Sequence, residues 1–112
     1  MEDCIFCKIL SREVPGEIVY EDDDFLGFKD ISPQAPEHLL FIPKKHISSL
    51  NEYEEGDAEL MGKLIFRAKS FLNKNGYQNY RFVFNCGSDA GQTVYHIHVH
   101  AMAGRKFVWP PG

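Results

Sequence analysis

The chain is 112 residues long, with 44% hydrophobic and 25% charged residues and a formal net charge of −4. That length suits a single domain over 1–112, and the balance is that of a globular chain, which excludes a disordered or low-complexity one. The acidic balance argues against a nucleic-acid partner held by nonspecific phosphate contacts.

The first residues, Met1-Glu2-Asp3, are acidic where a signal peptide would be basic. No uncharged apolar stretch approaches the roughly 20 residues that cross a bilayer. Cys4 and Cys7 form a CxxC without a disulfide framework, and three cysteines cannot pair completely. A cytoplasmic protein in a reducing compartment, with no membrane partner, is expected.

A short helix through Ile9-Leu10 gives way to the turn chemistry of Ser11 to Gly16. Residues 17–21 and 25–29 read as two short strands around Asp22-Asp23-Asp24, a spacing that suits an antiparallel hairpin with a solvated acidic turn rather than a metal site. After the Pro- and Ser-containing stretch 30–37, His38-Leu39-Leu40-Phe41-Ile42 reads as a central strand stopped by Pro43. Leu60, Met61, Leu64, Ile65, Ala68, Phe71 and Leu72 recur at three- and four-residue intervals, which predicts one face of a long helix, with Asp57 as its N-cap and Asn75-Gly76 as its stop. Residues 80–85 and 95–102 are the last two strand candidates, joined by the small and polar loop Cys86 to Thr93. Strands, a helix, then strands with short connections predict an α+β fold on a mainly antiparallel sheet.

His96, His98 and His100 alternate with Ile97, Val99 and Ala101. Side chains alternate across a strand, so the histidines share one face and the apolar residues the other. A single histidine on a strand is usually structural, but histidine has no strand preference that would produce three in alternation, so the row reads as functional. Neighbouring rings of the row, about 6.6–6.8 Å apart along the strand, can meet one zinc. The outer two stand about twice as far apart, which disfavours one ion held by all three.

One end of the row has candidate metal partners: Cys4, Cys7, His46 and His96 would make a closed Cys2His2 site, structural zinc rather than catalytic. The plain alternative is two inert cysteines on a short helix. For covalent catalysis the middle residue, His98, is best positioned, because His96 and His100 flank it and either can orient it, stabilise charge or protonate a leaving group. The loop 87–93 offers backbone N–H groups and the hydroxyls of Ser88 and Thr93 to a phosphate, although taken alone it is an ordinary turn.

His-x-His-x-His followed by two apolar residues resembles the signature of the histidine triad family. Phe28-Lys29-Asp30-Ile31-Ser32-Pro33-Gln34-Ala35-Pro36, Ile42-Pro43-Lys44-Lys45-His46-Ile47-Ser48, Gly87-Ser88-Asp89-x-Gly91-Gln92 and Trp109-Pro110-Pro111-Gly112 are similar to its Hint branch of nucleoside phosphoramidases. The resemblance implies a five-stranded antiparallel sheet with one long and one or two short helices, and a homodimer with a continuous ten-stranded sheet. It also implies a site for a purine nucleotide such as AMP, GMP or a phosphoramidate, with adenosine phosphoramidate or adenylylated lysine as the substrate type.

Carried onto this chain, the resemblance makes His98 the nucleophile, with His38, His96 and His100 around it. Asp30 becomes the ribose-binding acid, Phe28 and Ile31 lie near the base, and Asn85, Gly91, Gln92 and Thr93 lie in the phosphate and leaving-group region. Thr93 stands where the branch has serine, with the hydroxyl retained. The implied reaction needs no cofactor: His98 attacks the α-phosphorus, an amine leaves, and water releases the nucleotide. The CxxC is similar to the zinc-containing microbial members, and a zinc-bound His96 could not donate a proton, which leaves His38 and His100 as the supporting groups. The competing readings are a dinucleoside polyphosphate hydrolase, which shares the triad but not the Trp109–Gly112 ending, a nucleotide-binding adaptor with little turnover, and a zinc hydrolase that uses the triad as its metal site.

Overall fold

The computed structural model of the chain describes residues 3–112; Met1 and Glu2, on which part of the targeting argument rests, lie outside the described residues. Helix α1 (Ile5–Leu10) leads into the hairpin of β1 (Ile18–Glu21) and β2 (Phe25–Lys29), followed by β3 (Glu37–Pro43), the long helix α2 (Ala58–Lys74), β4 (Tyr80–Val83) and β5 (Val99–Ala103). Three single 3-10 turns, at 50–52, 55–57 and 88–90, join these elements. The strands form one sheet in the order β1-β2-β3-β5-β4, with antiparallel neighbours throughout.

The all-apolar run in β3 has a simple cause, since this central strand is covered on both faces. Leu39 and Phe41 pack with Val99, Ala101 and Ala103 under the stripe Met61, Leu64, Ala68 and Leu72 of α2. Leu40 and Ile42 point the other way, and with Leu26 and Phe28 they are covered by Phe6 and Ile9 of α1. In β2, a Cβ at Gly27 would lie 2.8–3.0 Å from the Phe41 ring, so only glycine permits that ring to cross the strand.

The expected hairpin and its acidic turn are present. Asp22 Oδ1 accepts from the N–H groups of Asp24 and Phe25 at 2.8 Å each, and Arg67 Nε pairs with Oδ2 at 3.3 Å. Asp57 stands at the N-cap of α2, but its carboxylate is used elsewhere. It accepts from the Glu54 N–H within a capping box around the preceding 3-10 turn, and from Lys45 Nζ at 2.7 Å. Asn75 caps the other end and Gly76 follows at φ +91, the left-handed stop expected there.

The last two strands are shorter than their apolar patterns suggest. β4 ends at Val83, and β5 begins only at Val99, so His96 and His98 precede the ladder. The Ile97 N–H is tied instead to the Ile47 carbonyl at 2.6 Å, which carries the extended path past the sheet's end. Alternation survives, because Ile97 joins the core under α2 while His96 and His98 face α1.

Candidate functional site

The Phe6 ring lies edge-on to three others, Phe28 at 5.3 Å, His98 at 5.1 Å and His96 at 6.1 Å. On this side α1 and the sheet enclose a cavity of 290 Å³ lined by Phe6, Phe28, Asp30, Leu40, His98 and His100 among others. Its walls are mostly apolar with a few polar groups among them, Asp30, His98 and His100, the usual build of a small-molecule site.

His98 is 6% exposed and its Nδ1 lies 2.7 Å from the His96 carbonyl oxygen. A carbonyl only accepts, so Nδ1 carries the proton and Nε2 keeps its lone pair. Burial pushes the His98 pKa below its ordinary value, and the ring is neutral near pH 7. A neutral imidazole with one nitrogen locked as donor and the other free at a cavity is equipped to attack an electrophile.

A second chain of hydrogen bonds fixes its neighbours. The Gln34 N–H donates to His38 Nδ1 at 3.0 Å, so His38 carries its proton on Nε2, which lies 2.9 Å from His100 Nδ1. His100 must therefore accept at Nδ1 and present Nε2–H. Burial, then the neighbouring His98 and His38 rings, push the His100 pKa down to about 4, and burial lowers His38. Asp30 Oδ1 accepts from the Ser32 N–H at 2.8 Å while Oδ2 lies 3.4 Å from His38 Nε2, which leaves lone pairs for hydroxyl donors in the cavity.

His96 belongs elsewhere. It is fully buried, its Nε2–H donates to the Pro43 carbonyl at 2.8 Å, and its Nδ1 faces Cys4 Sγ at 3.4 Å, Cys7 Sγ at 3.5 Å and His46 Nδ1 at 3.2 Å. Cys7 Sγ stands 3.4 Å from His46 Nδ1. Tetrahedral zinc with ordinary bond lengths separates sulfur from nitrogen by about 3.6 Å and nitrogen from nitrogen by about 3.3 Å. These four separations fit that figure, all four ligand atoms lie within 4.8 Å of one another, and the His96–Pro43 bond is the outer support such a ligand usually has. Burial beside Cys4 pushes the Cys7 thiol up to about 11, so a cation is what would hold it as thiolate.

Most of the expected nucleotide residues gather round the cavity or beside it. Thr93 lines it, Ile31 stands at its rim 97% exposed, and Asn85 and His100 share an adjoining groove, where Gly91 at φ +93 comes close to the Asn85 amide. The Gln92 side chain turns inward. It accepts from the Gly87 N–H at 2.9 Å and donates to the Ser48 and Val94 carbonyls, closing the loop on itself rather than facing the cavity. The cavity wall built by Ile5, Phe6 and Ile9 was not among the expected site residues, although the apolar spacing around the CxxC was the available signal.

A family model described as the scavenger mRNA decapping enzyme C-terminal binding region matches residues 3–107. A protein of Synechocystis described as an uncharacterized HIT-like protein is 49% identical over 112 residues, 99% of this chain and 98% of its own. The crystal structure of a HIT family hydrolase from Legionella pneumophila superimposes with a TM-score of 0.95 at 49% identity, over 98% of this chain and 100% of that one. That of a zinc-bound histidine triad family protein from Mycobacterium smegmatis does so with a TM-score of 0.81 at 31% identity, over 99% and 81%.

Proposed function

Because the chain belongs to the histidine triad family, we propose that it is a hydrolase of purine nucleoside 5′-phosphoramidates, acting through a nucleotidyl-histidine on His98 and releasing the nucleoside monophosphate. The observation that carries this reading is the His98 ring, neutral, locked by the 2.7 Å bond from Nδ1 to the His96 carbonyl, with Nε2 free at the cavity. In the proposed reaction Nε2 attacks the α-phosphorus of a substrate protonated on its nitrogen, the P–N bond breaks and a neutral amine departs, its new lone pair accepting from His100 Nε2–H, while Nδ1–H of the now positively charged, substituted ring donates to the His96 carbonyl. Water then attacks the same phosphorus and restores the ring. Asp30 would receive the ribose hydroxyls, with the base between Phe28, Ile31 and the α1 wall.

Cys4, Cys7, His46 and His96 would hold zinc, which when bound supplies a closed structural tie between α1 and the sheet, a reading supported by the zinc-bound mycobacterial relative. Two copies would pair through their β4 edges into a ten-stranded sheet. The other edge, β1, carries an irregularity between Ile18 and Tyr20, which blunts it for pairing.

The deciding assay is release of AMP from adenosine 5′-phosphoramidate by the wild type and by His98→Ala. Turnover by the wild type with loss of at least about a hundredfold in the variant is the expected result for a missing nucleophile. A folded wild type that releases nothing would sink the proposal in favour of a binding module. The description of the matching family model favours a second reading, cleavage of a phosphoanhydride, and a dinucleoside polyphosphate run in the same assay separates the two by their relative kcat/KM.

A further inference from the structure

The cavity is not the end of the site. On the far side of His38 and His100 a second groove, of 350 Å³, runs from these rings past Asn85 to Arg81, Arg105 and Phe107. The two guanidinium groups lie against the one Phe107 ring, Arg105 Cζ 4.3 Å and Arg81 Cζ 5.1 Å from its centroid. Each is braced by backbone: Arg105 Nε donates to the Gln34 carbonyl at 2.8 Å and Arg81 NH2 to the Val108 carbonyl at 2.9 Å. Among the described residues no carboxylate pairs with Arg81, Arg105 or Lys106.

Arg81, Arg105 and Lys106 line one stretch of surface together, a local concentration of positive charge on a chain of net charge −4. Surface arginines usually find a carboxylate or swing into water, whereas these are held by backbone carbonyls and the Phe107 ring with N–H donors unspent. Preorganised guanidinium forks are built to receive an oxyanion. The groove begins at His100, whose Nε2–H would meet the departing atom, so whatever leaves the α-phosphorus passes toward the arginines.

Resting on the hydrolase reading above, we propose that this groove is a leaving-group subsite for an anion, and that substrates carrying a carboxylate or phosphate just beyond the departing atom are preferred over those with a neutral or cationic group. Arg105 and Arg81 would each donate to that oxyanion while Phe107 holds them in plane. The subsite acts on substrate choice and contributes no bond-making group.

The test is binding of three adenosine 5′-phosphonate esters that cannot be hydrolysed: the methylphosphonate, the phosphonoacetate and the methylenediphosphonate. Calorimetry on the wild type is expected to give about tenfold tighter binding for either charged ester than for the methylphosphonate, the gain shrinking at about 0.5 M salt. Arg105→Gln and Arg81→Gln should each reduce the gain, and Arg105→Lys should keep part of it, which a purely structural role for the arginine would not produce. A gain for only one charged ester identifies the source, carboxylate or phosphate, and still supports the subsite. Equal binding of all three, or a gain that persists in both glutamine variants, overturns it. Failure of all three esters to bind overturns the nucleotide site itself and this subsite with it, a result distinct from equal binding.

Discussion

At the scale of single residues, the histidines around the cavity are held neutral by burial, and this has a consequence for stability. A group whose folded pKa lies below its unfolded value stabilises the fold fully above the unfolded pKa, near 6.5, and that contribution is lost as pH falls through the folded one. With His100 pushed down to about 4, the protein should lose stability between pH 6.5 and 4. Urea unfolding of His100→Gln across that window is expected to give a shallower loss than the wild type; identical slopes would show that His100 does not carry the effect. Residue identity alone could name His98 as the nucleophile candidate. It could not assign the protons, because the tautomers depend on the His96 carbonyl and the Gln34 N–H, positions that chain folding brings to the rings.

At the scale of elements, α1 has two tasks that the short sequence CxxC hinted at only in part. It carries Cys4 and Cys7 to His46 and His96, and with Phe6 it walls the cavity against His98. The two tasks are coupled, since a six-residue helix has little stability of its own and depends on what it docks to. Cys7→Ser is therefore expected to lose bound zinc, lower the melting temperature by several degrees and weaken AMP binding several-fold although it touches no nucleotide atom. Metal analysis, thermal melts and calorimetry check the three; a variant that melts and binds AMP like the wild type would mean that the cluster is not a structural metal site. The long helix was legible from its period, because Leu64, Ala68 and Leu72 must face the sheet to leave water. The boundaries of β4 and β5 were not, since a ladder ends where its partner does, and apolar alternation continues beyond it.

At the scale of the whole molecule, the sheet leaves β4 as a regular unpaired edge while β1 is interrupted. Edges of that kind are either protected or used. Light scattering is expected to return twice the 12.9 kDa chain mass at micromolar concentration, with a melting temperature that rises with protein concentration. A monomer whose melting is independent of concentration would rule the β4 pairing out. The same edge strand supplies Arg81 to the proposed leaving-group groove, so that assembly and substrate choice would meet on one element.

What the sequence determined by itself was the local and periodic part: the hairpin with its acidic turn, the amphipathic α2, the central apolar β3, and the histidine row with family blocks around it. These are legible because turn chemistry, helix period and strand alternation act between residues close in the chain. Only the tertiary structure decided where each of the histidine rings lies and what faces it. His96 and His98 are two residues apart, yet one is committed to cysteines 92 and 89 positions away and the other to a cavity. The inward turn of Gln92, the reuse of the Asp57 carboxylate, and the meeting of Arg81 with Arg105 over Phe107 were decided in the same way. Such contacts join distant segments, and their partners are chosen by packing the two faces of the sheet rather than by any spacing along the chain.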